Sequence, residues 1–110
     1  MWTITTRGFY SVVAHRELPD TVLVRGRVRA DLDALGDLIP GLTVYEDRGA
    51  DYRYRAIVSS PAWRAALDVM ASEIDYDNFK NAVAEQQGYG RARVYGEVWS
   101  VLHPLQTNGV

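Results

Sequence analysis

Tyr52-Arg53-Tyr54-Arg55-Ala56-Ile57-Val58, followed at once by Ser59-Ser60-Pro61-Ala62-Trp63, decides how this chain is read. The first seven residues alternate. Tyr52, Tyr54, Ala56 and Val58 fall on one face of a strand, and Arg53, Arg55 and Ile57 on the other. Aromatic and β-branched side chains suit such a pleated surface. The period then changes within a few residues. Ser60 is expected as the N-cap and Pro61 in the first turn of a helix. Trp63, Ala66, Leu67, Met70, Ala71 and Ile74 recur at the spacing of one helical face.

Upstream, the same hand-over is expected once before. Trp2–Thr6 and Phe9-Tyr10-Ser11-Val12-Val13-Ala14 are strand-like, divided by Gly8 as a bulge or a turn. Glu17-Leu18-Pro19-Asp20 is a turn. Thr21–Val28 alternates, with Val22, Val24, Gly26 and Val28 on one face and Leu23, Arg25 and Arg27 on the other. Asp31–Ile39 then takes the helical period through Leu32, Leu35, Leu38 and Ile39, and Pro40-Gly41 stops it. Leu42–Glu46 is a short strand, and 47–51 a loop.

Downstream the pattern is helical. Asp75 or Asp77 is placed as a cap, with Tyr76, Phe79, Ala82 and Val83 facing inward, and Gly88 and Gly90 end that helix. A last helix over about 91–102 presents Val94, Tyr95, Val98, Trp99 and Leu102. Segregated strand pairs and helices predict the α+β class: an antiparallel sheet of four to five strands in ββαββα order, helices packed on one face, and one or two extra C-terminal helices. Residues 1–105 are expected as a single α+β domain and 106–110 as a flexible tail.

Composition bounds the chemistry. The chain has 110 residues, no Cys and a net charge of −2, which excludes disulfides and thiolate chemistry and gives no global attraction for nucleic acid. No secretory leader or membrane-spanning run is visible, so a cytoplasmic setting is expected and no membrane partner. Eleven of the twelve cations are Arg. Codon bias toward GC-rich codons accounts for much of that excess, but Arg25, Arg27, Arg53 and Arg55 stand at alternate positions on two strands. If those strands are neighbours, four guanidinium groups share a small area. With Tyr10 beside them, they form a candidate ligand-binding set for a small phosphorylated or otherwise anionic ligand. The competing explanation is a solvated sheet face with cross-strand carboxylate partners.

Other constellations are less specific. The many aromatics suit a core or an oligomer interface better than base stacking, and no RNP-like motif accompanies them. Asp75-Tyr76-Asp77-Asn78 lacks the glycine and distant Glu of a Ca²⁺ loop and reads as helix capping. His15 and His103 lack metal-ligand spacing. No phosphate loop or nucleophile elbow is present. No catalytic residue, metal or cofactor is therefore assigned.

Met1–Val13, Asp51–Arg55, Ile74–Lys80 and Tyr95–Trp99 together resemble a family of small uncharacterised bacterial and phage-borne proteins with no assigned function. The resemblance covers nearly the whole chain and implies a free-standing bacterial domain. It brings no functional residue. The expected function is a non-enzymatic interaction module that forms a homodimer or binds a protein partner. Binding of a phosphorylated ligand or nucleotide through the Arg cluster is the first alternative. A small hydrolase-type enzyme using His15 or Asp75 and Asp77 is the second.

Overall fold

The computed structural model describes residues 1–108. The chain contains β1 (Trp2–Ile4), β2 (Phe9–Ala14), β3 (Thr21–Gly26), α1 (Arg29–Ala34), β4 (Tyr45–Glu46), β5 (Tyr54–Ser59), α2 (Ser60–Ser72), α3 (Phe79–Gln87), α4 (Tyr89–Leu102) and α5 (Pro104–Asn108). The α+β class is therefore as read. Where the sequence suggests one domain over 1–105, contacts divide the chain into two compact units, Met1–Asp75 and a second from Tyr76 onward.

The first unit is a five-stranded sheet in the order β1-β2-β3-β5-β4, antiparallel at every junction. Gly8 marks a turn, not a bulge. The Thr5 amide donates to the Gly8 carbonyl at 3.0 Å, so the first strand splits in two. No Cβ fits at Gly8, because it would lie 2.5 Å from the Cγ of Asp31. That carboxylate is buried and accepts the Phe9 amide at 3.0 Å, which ties the turn to α1.

Side-chain alternation sets the core. Tyr10, Val12, Val24, Ala56 and Val58 are buried on the face covered by α1 and α2. From those helices come Leu32, Trp63, Ala66 and Met70; Leu35 and Ile39, just past α1, complete the layer. Tyr10 is fully buried, stands edge-on to Trp63 at 6.2 Å, and donates its hydroxyl to the Asp31 carbonyl at 2.7 Å. The α1 segment is shorter than its period suggests. It gives way to a 3₁₀ turn over Leu35–Asp37, which still delivers Leu35 to the core.

Several boundaries move by a residue or more. Ser59, not Ser60, caps α2, its hydroxyl accepting the Ala62 amide at 3.2 Å. Ala71, in the last turn of α2, and Ile74, past its end at Ser72, are both exposed, so the stripe is covered only as far as Met70. Arg7 was not singled out in the sequence. Its Nε and Nη2 donate to Glu73 at 2.8 and 2.6 Å, and its Nη1 donates to the Ala34 carbonyl at 3.2 Å. These bonds raise the Arg7 pKa and hold the Glu73 carboxyl below its ordinary value.

The second unit is an α3–α4 pair followed by α5. Asn78 caps α3 in place of Asp75 or Asp77, accepting the Asn81 amide at 2.9 Å. Asn78 is the residue immediately before the first helical residue, Phe79, which is the position from which a side-chain oxygen reaches the N3 amide. Gly88, at φ 94°, ends α3 and begins α4, so Gly90 lies inside α4. Pro104 opens α5, which takes in residues 106–108 of the expected tail. The remainder of that tail, 109–110, lies outside the described residues. No helix among the described residues is long and apolar enough to cross a membrane.

Candidate functional site

Register decides which arginines meet. Arg25 on β3 is the direct cross-strand partner of Arg55 on β5, and on its other side Arg25 pairs with Ser11 of β2. All three project from the sheet face opposite Tyr10. Like charges placed directly opposite one another destabilise a sheet unless something lies between or beside them. Arg25 is partly held by Ser11, its Nη2 donating to Oγ at 2.7 Å. Arg55 donates from Nε to the Tyr52 carbonyl at 3.1 Å, and its Nη2 lies 3.5 Å from Asp51.

Tyr52 joins this face, against the expectation that it sits with Tyr54 and Val58. The strand starts at Tyr54, so the alternation does not extend back to Tyr52. Its ring is buried, 6.3 Å from Phe9, and lies under two cations: the Arg25 guanidinium carbon is 4.7 Å from the ring centroid and that of Arg27 is 4.5 Å. Arg27 also donates to the Asp51 carbonyl at 3.0 Å. Cation–π contact of this kind orients guanidinium groups without neutralising them.

The four arginines are not one cluster. Arg53 belongs to a different set, on Glu46 at 2.7 Å, with Arg48 on the same carboxylate at 2.8 Å. Hydrogen bonds from Arg53 and then Arg48 hold the Glu46 carboxyl below its ordinary value. Tyr10 is also separate. It is 0 % exposed, on the helix-covered face, with its hydroxyl committed to Asp31, so it does not reach any ligand beside Arg25.

Arg25 and Arg55 line a concavity of about 590 Å³ that lies wholly within the first unit. Val13 and Leu23 form its apolar wall, and His15, Arg16, Glu17 and Asp51 complete its rim. His15 Nδ1 accepts the amides of Glu17 and Leu18 at 3.1 and 3.0 Å. An imidazole nitrogen that accepts carries no proton, so Nε2 is the donor. The sequence offers His15 only as a lone histidine at a strand end and gives no sign of Arg16 beside the arginine pair, because both follow the strand and lie outside its alternation. Among the described residues, no group of three or more His, Asp or Glu is arranged to hold a metal ion.

The second unit offers a surface of another kind. Only Val83 and Ala92 are fully buried among its described side chains, and Phe79 stacks on Tyr95 at 6.1 Å with 10° between planes. On α4, Tyr89, Val94, Trp99, Val101 and Leu102 are all more than half exposed, Trp99 at 69 %. The helical spacing read from the sequence is real, but most of that stripe faces outward.

No protein-family model, curated protein or solved structure matches this chain.

Proposed function

We propose that this protein is a non-enzymatic interaction module whose helical second unit docks on a second copy of the chain. The observation that carries this reading is Trp99, a large apolar side chain left 69 % exposed on a helix whose one fully buried residue is Ala92. A helix pair with so small a core gains little from its own packing, because helices in water depend on burying an amphipathic face. Contiguous exposed apolar residues mark interaction surfaces more often than they mark monomer surfaces. Trp is also the residue most enriched among side chains that dominate binding energy. A two-fold pairing is the commonest closed solution for one surface meeting itself.

Sedimentation equilibrium from micromolar to millimolar concentration tests the proposal. The expected result is a reversible monomer–dimer equilibrium that Trp99→Glu shifts to monomer, while the circular dichroism of the sheet is retained. A wild-type chain that stays monomeric over the whole range overturns self-association. A dimer untouched by Trp99→Glu overturns the surface assigned to it.

A further inference from the structure

The concavity beside Arg25 and Arg55 is not used by the helical interface, and its chemistry points elsewhere. We infer that it binds a small organic phosphate, a phosphate monoester with a compact apolar body. Three observations converge on that ligand class. First, Arg25 and Arg55 are direct cross-strand partners on β3 and β5, a like-charge pairing that costs stability and is relieved on one side only, by Asp51 at 3.5 Å from Arg55. Arg25 has no carboxylate partner among the described residues; its polar contacts are Ser11 Oγ at 2.7 Å and the Ser11 carbonyl at 3.4 Å. Its guanidinium is held in place by Ser11 and the Tyr52 ring, so little freedom is lost when it binds.

Second, the donors outnumber what a monocarboxylate needs. Arg25, Arg55 and Arg16 bring three positive charges to one concavity, against the carboxylates of Glu17 and Asp51. His15 adds its Nε2 as a donor, because its Nδ1 already accepts the Glu17 and Leu18 amides. A phosphate monoester carries close to two negative charges at neutral pH and three terminal oxygens, which suits paired guanidinium forks. Third, the concavity has an apolar wall in Val13 and Leu23 and a volume of about 590 Å³. Sites for small organic molecules fall in this range and combine apolar lining with a few converging polar groups. Free inorganic phosphate would leave that wall uncovered.

Titration calorimetry on the full chain, with phenyl phosphate, inorganic phosphate and succinate as probes, tests the inference. Phenyl phosphate is expected to bind saturably at one site per chain, inorganic phosphate more weakly at the same site, and succinate more weakly than phenyl phosphate. Arg25→Gln and Arg55→Gln should each weaken phenyl phosphate at least about tenfold, the equivalent of one charge-assisted contact. Arg53→Gln should leave affinity unchanged, since Arg53 is committed to Glu46. Should Arg25→Gln fail to fold, the exposed rim variant Arg16→Gln and the wild-type amide shifts serve in its place. Arg16→Gln should weaken binding, and phenyl phosphate should perturb Ser11, His15, Arg16, Arg25 and Arg55. The inference is overturned by any of four results: no saturable binding at millimolar phenyl phosphate, succinate binding as tightly, equal loss in Arg53→Gln, or shifts centred away from these residues.

Discussion

Trp63 and Trp99 stand on helices of similar length, α2 and α4, yet one is 4 % exposed and the other 69 %. The difference lies in what each unit offers to pack against. In Met1–Asp75 the sheet presents Tyr10, Val12, Val24, Ala56 and Val58, and α2 lays Trp63, Ala66 and Met70 over them. In the unit from Tyr76 onward, the α3–α4 pair fully buries Val83 and Ala92 alone among its described apolar side chains. A helical stripe is a demand for a partner surface, and its sequence period does not say whether the same chain supplies it. The first unit supplies its own. The second leaves the demand open, which is why the self-association proposed above is placed there.

The largest expected effect breaks the contrast at its centre. Trp63→Ala should destabilise the first unit by about 3–5 kcal/mol, the usual cost of truncating a buried Trp, read as a lowered denaturant midpoint. Next comes Gly8→Ala. Its Cβ would collide with the Asp31 carboxylate that holds the Phe9 amide, so a loss of about 1–3 kcal/mol is expected in the same measurement. A loss below a few tenths would show that α1 shifts freely, which the buried Asp31 contacts argue against.

Glu73→Gln sharpens the comparison at the end of α2. It removes the acceptor for Arg7 and should cost about 1 kcal/mol at neutral pH, a discount for partial exposure included. The sign with pH follows from the Glu73 carboxyl being held below its ordinary value by Arg7. Its contribution is complete above the unfolded-state carboxyl range and is lost as pH falls through the lower folded-state value. The wild-type and Glu73→Gln denaturation midpoints should therefore converge in acid, and parallel curves down to low pH would remove the ion pair from the account. Smallest of all is Trp99→Ala, expected within about 0.5 kcal/mol on the monomer because a side chain left 69 % exposed buries little when the protein folds. Amide exchange completes the contrast. Protection should be high in β3 and β5, low in α3 and α4 at micromolar concentration, and should rise in those helices as the protein is concentrated.

Legibility followed the same division. The Val22, Val24 and Ala56, Val58 alternation was visible because the two-residue period of a strand is local, and the structure keeps those faces as read. The Arg set was half visible. Arg25 and Arg55 share a face, but Arg53 left it for Glu46 because β5 begins at Tyr54, and a strand end cannot be located to one residue from composition. Tyr10 was misplaced as a ligand contact because alternation gives two faces without saying which the helices will cover. His15 and Arg16 carried no periodic signal at all; they reach the concavity only through the turn that follows β2.

By itself the sequence determined the local periods, the α+β class and the places where strand gives way to helix, because backbone sterics and side-chain spacing act over a few residues. Only the tertiary structure decided the strand order β1-β2-β3-β5-β4, the pairing of Arg25 with Arg55 and the exposure of Trp99. These depend on which distant segments meet. That outcome is settled by the competition of whole faces for burial, and no local stretch of chain contains it.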